Sequence, residues 1–339
     1  MIRFVLHRLA STGVTLLVIS ALIFFIIKLP PGDFLTNQIA ELRAQGEAAS
    51  VAKAEFLIKQ YGLDRPVWEQ YLIWMGLWPG PHGFSGLLQG DWGWSFEYER
   101  PVNEVVGSAL WLTLLVNLVV VIFVHVMSIP IAIYSATRQY SLGDYMATFV
   151  GYIGLATPNF LLALILLFYL NRWFGISIGG LYDPQFEGRP WTWEKVRSLL
   201  SHLIVPTIVI GLGGTAAMIR RMRANLLDEL GKQYYVTAKA KGLPPRQALL
   251  KYPFRMSLNP FVSDIGNLLP HLVSGSVLVS LVLSLPTVGP ILLSALKTQD
   301  QFLAGFILMF VAVLTVVGMM ISDFLLAMLD PRIRLGART

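Results

Sequence analysis

Tyr234-Tyr235-Val236-Thr237-Ala238-Lys239-Ala240-Lys241-Gly242-Leu243 is a basic run of small and polar residues held between two long apolar stretches. Ala238 and Ala240 favour helix and project little beyond the backbone, and Gly242 is suited to end that helix in a left-handed conformation. Pro244-Pro245 then permits a turn, and a second helix is predicted from Arg246. The wider segment 220–259 sets nine Lys and Arg against only Asp228 and Glu229. Small side chains let another surface approach closely, with Lys239 and Lys241 as charges at the rim. A solvated basic loop that serves only to fix topology is the competing reading.

The flanking stretches set the class. The chain has 339 residues, 55% hydrophobic and only 14% charged, with a mean hydropathy of +0.62, figures that a soluble domain seldom reaches. It is read as an all-α, polytopic integral membrane protein whose surroundings are lipid. There is no cysteine, so disulfides, a thiolate nucleophile and cysteine-based metal sites are excluded. The net charge of +6 does not point to nucleic acid, because the basic residues sit in short connections between apolar segments rather than on one face.

Crossing about 30 Å of hydrocarbon takes roughly 20 helical residues. Six transmembrane helices are predicted, over 9–29, 110–133, 146–170, 203–219, 261–285 and 302–329. Arg3 and Arg8 precede the first, but Lys28-Leu29-Pro30-Pro31 follows it in place of a small-residue cleavage site, so it reads as a retained anchor. Alternate connections, counting both termini, carry fifteen Lys and Arg on one side against ten on the other. The positive-inside rule therefore predicts both termini and segment 220–259 in the cytoplasm. The chain divides into residues 1–30 (the N-terminal end and first span), 31–105 (a large external region after it) and 106–339 (the core membrane domain). The external region carries ten acidic residues and Trp68, Trp74, Trp78, Trp92 and Trp94, and 40–61 reads as a surface helix. Some of these tryptophans fit an interfacial belt.

No phosphate loop, HExxH pair or nucleophile elbow is present, so no catalytic residue and no metal site is predicted. Gly211-Leu212-Gly213-Gly214 lies inside an apolar span and reads as close helix packing rather than a nucleotide turn. Polar residues inside spans usually face a bundle interior or cavity. Asp264, Asn267, His271 and Ser274 fall at spacings of three, four and three, which places them on one helical face. They are candidates for a translocation path, as is Asn117; an interhelical hydrogen-bond seam is the alternative. His125 shares a face with Asn117 but reads as structural. Asp323 is expected to snorkel or to meet a basic loop residue. Pro286, Gly289 and Pro290 interrupt two long spans and are candidates for an external gate, or for a re-entrant segment that only packs.

Thr237-Ala238, three residues, Gly242, and then Asn259-Pro260 resembles the EAA loop of ABC importer membrane subunits, with Val236 where the family has glutamate. That departure is common in the oligopeptide, dipeptide and nickel branch, which the chain resembles along nearly its whole length. The matching segments are the N-terminal anchor ending in Pro31-Gly32-Asp33, Tyr61-Gly62-Leu63-Asp64-Arg65-Pro66, Gly90-Asp91-Trp92-Gly93-Trp94-Ser95-Phe96, Arg100-Pro101-Val102, Thr157-Pro158-Asn159-Phe160, Leu285-Pro286-Thr287-Val288-Gly289-Pro290 and Asp330-Pro331-Arg332-Ile333-Arg334. The resemblance implies a type I ABC importer permease in a bacterial inner membrane, beside a second homologous permease subunit, two cytoplasmic ATPase subunits and an external solute-binding protein. It implies that Thr237, Ala238, Lys239, Ala240, Lys241, Gly242 and Leu243 couple to an ATPase. ATP and magnesium would then be used on those partners, with no cofactor on this chain. Di- or oligopeptides are the cargo it suggests first. Ser284-Leu285-Pro286-Thr287 departs from the commoner dipeptide pattern and leaves oligosaccharides, opines and nickel chelates open. A gradient-driven secondary transporter is the alternative of another class; it predicts inverted repeats with broken helices, or paired ionisable residues at mid-membrane, neither of which is found.

Overall fold

The computed structural model describes residues 2–29, 34–45, 48–62, 64–81, 83–175, 179–263 and 265–329. The first helices in chain order are α1 (Ile2–Ile27), α2 (Phe34–Gln45), α3 (Ala48–Gln60) and α4 (Val67–Met75). A two-stranded antiparallel ribbon follows, β1 (Trp94–Ser95) with β2 (Arg100–Pro101). The long helices come next: α5 (Val102–Thr137), α6 (Leu142–Ala156), α7 (Asn159–Phe174) and α8 (Trp193–Leu230). Four short ones follow: α9 (Gln233–Ala240), α10 (Pro245–Lys251), α11 (Pro253–Ser257) and α12 (Asn259–Ser263). The last are α13 (Ile265–Val282), α14 (Val288–Thr298) and α15 (Gln301–Leu329).

Among the described residues, α1, α5, α8 and α15 are each long and apolar enough to cross a membrane. The span predicted over 146–170 is instead two helices, α6 and α7, bent by 102° at Thr157-Pro158. Proline has no N–H to continue the ladder and forces the preceding residue out of the helical region, and Thr157 sits at φ −89°, ψ 123°. Counted as one broken span, the pair makes a fifth. Of the fifth predicted span, over 261–285, α13 provides 18 residues, about 27 Å of helix. Where one surface helix is expected over 40–61, two helices, α2 and α3, pack on each other through Ile39, Leu42, Leu57 and Ile58. Asp264 and the motifs at 30–33 and 330–334 lie outside the described residues.

The chain packs into two compact units. One comprises Met1–Leu9, Leu112–Gly289 and Leu314–Thr339. At its centre is α8, which starts where the Thr192 hydroxyl caps the Lys195 N–H. Leu199, Leu203, Val209 and Ile210 of α8 pack with Val116, Val120 and Val124 of α5, Ala163 of α7, Val279 of α13 and Leu283 just after it. Glycines bring the helices close. A Cβ on Gly154 would lie 2.7 Å from the Leu212 side chain, and one on Gly211 would lie 2.8 Å from the Phe123 ring. Segment Gly211–Gly214 therefore serves helix packing, as its setting predicts.

The other unit comprises Ala10–Trp111 and Pro290–Val313. Phe24 of α1 meets Tyr71 and Trp74 of α4, and Trp92 stacks on Phe306 with ring centroids 4.1 Å apart. Trp74 is buried, so it and Trp92 hold this unit together, whereas Trp68, Trp78 and Trp94 remain exposed. Ile39, Leu42, Leu57 and Ile58 join α2 to α3, with Tyr61 and Phe96 packed against them.

Candidate functional site

Helix α8 runs on to Leu230, so Arg220, Arg221 and Arg223, expected in a loop, are helical. Arginine, methionine, alanine and leucine sustain helix beyond the apolar boundary, which composition marks and backbone geometry ignores. Gly231 and Lys232 turn the chain into α9. At the far end of α9 the Lys241 N–H donates to the Thr237 carbonyl at 3.0 Å, Gly242 to Lys239 at 2.9 Å, and Leu243 to Ala238 at 3.2 Å. The last two bonds are those of a Schellman cap, with Gly242 as its left-handed residue at φ +85°. A Cβ at Gly242 would meet nothing within 4 Å, so backbone conformation, not crowding within the chain, selects glycine. Pro244 and Pro245 then open α10.

The motif residues divide by exposure. Thr237, Lys239, Ala240, Lys241 and Gly242 are exposed, Leu243 is half-buried and Ala238 is buried. Ala238 therefore serves the chain's own packing rather than leaving room for another surface, and Ala240 alone offers the small exposed side chain. Lys239 lies over the Tyr235 ring at 4.9 Å. The Tyr234 hydroxyl donates to the Glu229 carboxylate at the end of α8, and partial burial together with that acceptor pushes its phenol well above the usual range. Leu249 of α10 packs with Ala136 of α5 and Leu226 of α8, with Ile133, Leu227 and Leu230 around them. The exposed helix and turn thus lead into α10, which is seated on the end of the most buried span.

Among the described residues, the polar side chains of Asn117 and His125 each bond within their own helix. Asn117 is buried, and its side-chain amide donates to the Thr113 carbonyl of its own helix at 2.8 Å. His125 Nδ1 lies 2.7 Å from the Val121 carbonyl, and its ring edge meets Phe261, a packing role that matches its structural reading. Asn267, His271 and Ser274 lie on α13, where their side chains are outside the described residues. Asp323 pairs with Arg8 at 2.9 Å, so its basic partner is on the first helix rather than on a loop. Around the candidate gate, Pro286 is exposed while Leu285, Thr287, Val288 and Gly289 are buried. The Thr113 hydroxyl caps the Val288 N–H at 3.0 Å, and a Cβ on Gly289 would lie 3.0 Å from the Val277 backbone. Within segment 286–301, Val288–Thr298 forms the helix α14, whose first residues are seated on Thr113 of α5 and Val277 of α13.

Three features escaped the sequence reading. Asp144 and Arg223 form a bidentate ion pair between α6 and α8, at 2.9 and 2.8 Å. Asp300, fully buried, accepts from the Ser95 hydroxyl at 2.7 Å and from the Glu97 and Leu303 N–H groups at 3.2 Å. Lys195, also buried, donates to the Arg189 carbonyl between the rings of Tyr182 and Trp191. The available clue was that ionisable residues at span ends are costly unless paired. The ribbon unit also encloses a cavity of about 350 Å³ walled by Phe24, Tyr61, Trp74, Phe96 and Phe302. No cluster able to hold a metal ion occurs among the described residues.

A polytopic helical protein with a capped, exposed basic helix seated on its central span has the make-up of a membrane transport subunit. The family described as the binding-protein-dependent transport system inner membrane component matches residues 128–335, and its N-terminal companion matches residues 1–118. The chain belongs to this family; it is a permease subunit of an ABC importer, not an enzyme. It is 34% identical over 337 residues to the oligopeptide transport system permease protein AppB of Bacillus subtilis, covering 98% of this chain and 99% of that one. It is 28% identical to the dipeptide transport system permease protein DppB of Lactococcus lactis, over 99% of this chain and 100% of the relative. The DppB of Escherichia coli K12 is 27% identical, with 98% and 99% covered.

Proposed function

We propose that this chain forms half of the membrane pathway of an ATP-driven importer for di- or oligopeptides, with α9 and Gly242 as its contact with an ATPase subunit. Support for the cargo comes from the names of the relatives, which are oligopeptide and dipeptide permeases along their full lengths. The observation that carries the coupling role is the helix α9, closed at Gly242, exposed along Thr237, Lys239, Ala240 and Lys241, and seated through α10 on α8. An element so placed presents a rigid end to a soluble partner and passes displacement into the bundle.

In this reading both termini and the basic segment lie in the cytoplasm, where two ATPase subunits bind ATP and magnesium. A second permease completes the pathway, and a solute-binding protein delivers cargo from outside. Closure of the ATPases favours the outward-open state because they bind α9 differently in the two states. Asp264, Asn267, His271, Ser274 and Asn117 line the path, and Pro286, Gly289 and Pro290 shape its outer gate.

Purification of the tagged chain in mild detergent from its native membrane tests the assembly. The expected result is recovery of a second permease with ATPase subunits; a homo-oligomer free of ATPase would refute it. Uptake of labelled short peptides, but not of labelled oligosaccharides, is expected from the reconstituted complex.

A further inference from the structure

We infer that the Asp144–Arg223 ion pair is a positioning device: it makes the start of α6 and the last turns of α8 move as one body, so that displacement at α9 reaches the α6–α7 elbow. The inference rests on the reading of α9 as the coupling helix.

Its geometry is that of a fork. Arg223 Nε reaches Asp144 Oδ1 at 2.9 Å and Nη2 reaches Oδ2 at 2.8 Å, so the guanidinium plane fixes angle as well as distance. Oδ2 also accepts the Tyr140 N–H at 3.0 Å, and Tyr140 is held at φ +64°, a conformation uncommon for a residue with a side chain. The Ser141 hydroxyl caps α6 through the Asp144 N–H, and Gly143 lies against the Tyr134 ring of α5. The Asp144 carboxylate therefore holds Tyr140 in the turn between α5 and α6 and ties that turn to α8.

The position explains what the tie does. Arg223 lies seven residues before Leu230, the last residue of α8, about 10 Å along the axis. Further along, Gly151 meets Ala216 and Gly154 meets Leu212, so α6 contacts α8 over three successive points. At its far end α6 turns by 102° into α7. A helix clamped from its first turn to its last turns, with an elbow at its end, converts movement of α8 into movement of α7. The Asp144 side chain is 5% exposed and that of Arg223 25%. Pairs withdrawn from water add little net stability compared with apolar replacements, whereas they define orientation, and breaking this one leaves a part-buried charge without its partner.

The test uses the assembled importer in proteoliposomes with its solute-binding protein, a pool of labelled short alanine peptides, and simultaneous measurement of uptake and ATP hydrolysis. Asp144→Asn is expected to lower peptides moved per ATP by about tenfold, within the range by which residues along a coupling network alter it. Subunit recovery and basal hydrolysis should stay within about twofold, the lower edge of that range. Arg223→Lys, which keeps the charge without the fork, should fall between Asp144→Asn and wild type, and exchanging the two residues should restore part of the ratio. An unchanged ratio in both single variants, with uptake falling only as the amount of assembled complex falls, overturns the inference. Gly242→Trp serves as the reference. If it stops transport while the ion-pair variants keep the ratio, only this inference fails; if it transports normally, the coupling reading fails too.

Discussion

Gly242 shows how a single residue joins local backbone chemistry to function. Its φ of +85° is costly for any residue with a Cβ, and its surroundings within the chain are empty. Gly242→Ala is therefore expected to lower the stability of the α9 cap by about 1 kcal/mol through backbone strain alone, and to reduce uptake only partly. Asp300 makes the opposite case. Asp300→Ala removes the acceptor for Ser95, Glu97 and Leu303 in a fully buried site. It should destabilise the protein by about 2–3 kcal/mol, read as a lowered midpoint of thermal unfolding in detergent; an unchanged midpoint would refute the network. Gly242 was legible because a left-handed cap is a local demand that the sequence states within ten residues. Asp300 was not, since Ser95 lies 205 residues away and only folding brings the two together. Ala238 was half legible: its helix was read correctly, but which side of that helix faces the chain depends on packing.

At the scale of elements, two glycines with similar distances predict different outcomes. A Cβ on Gly211 would meet the Phe123 ring, which can rotate, whereas one on Gly266 would lie 2.7 Å from the Met319 Cα, which cannot move without its helix. Gly266→Ala should therefore cost about 1–3 kcal/mol and lower the unfolding midpoint more than Gly211→Ala. Equal shifts would mean that α13 and α15 can separate freely at this point. Small-residue packing was readable because glycine in an apolar run has few other uses. The elbow between α6 and α7 was not. Hydropathy over 146–170 is continuous, and a proline inside an apolar run is compatible with either a kinked span or a broken one.

For the whole molecule, the division into lipid-length helices was legible from apolar run length, which the bilayer itself imposes. The ends of α5 and α8 were not, because helix continues past the apolar boundary into charged residues. The hydrophobic stretch of α1 is only 6% buried, against 61% for that of α8. Side chains such as Val14, Leu17 and Leu22 are left for lipid or another subunit to cover. Orientation is directly testable, since the chain has no cysteine to remove. Lys241→Cys should react with a membrane-impermeant maleimide only from the cytoplasmic face, and Glu99→Cys only from the external face; the reverse pattern would invert the topology. The most direct test of the central claim is uptake and ATP hydrolysis by the reconstituted importer carrying Gly242→Trp. A bulky ring on the exposed cap is predicted to abolish peptide uptake and the stimulation of hydrolysis by the binding protein, while the subunit remains inserted in the membrane. Wild-type uptake in that variant would contradict the account.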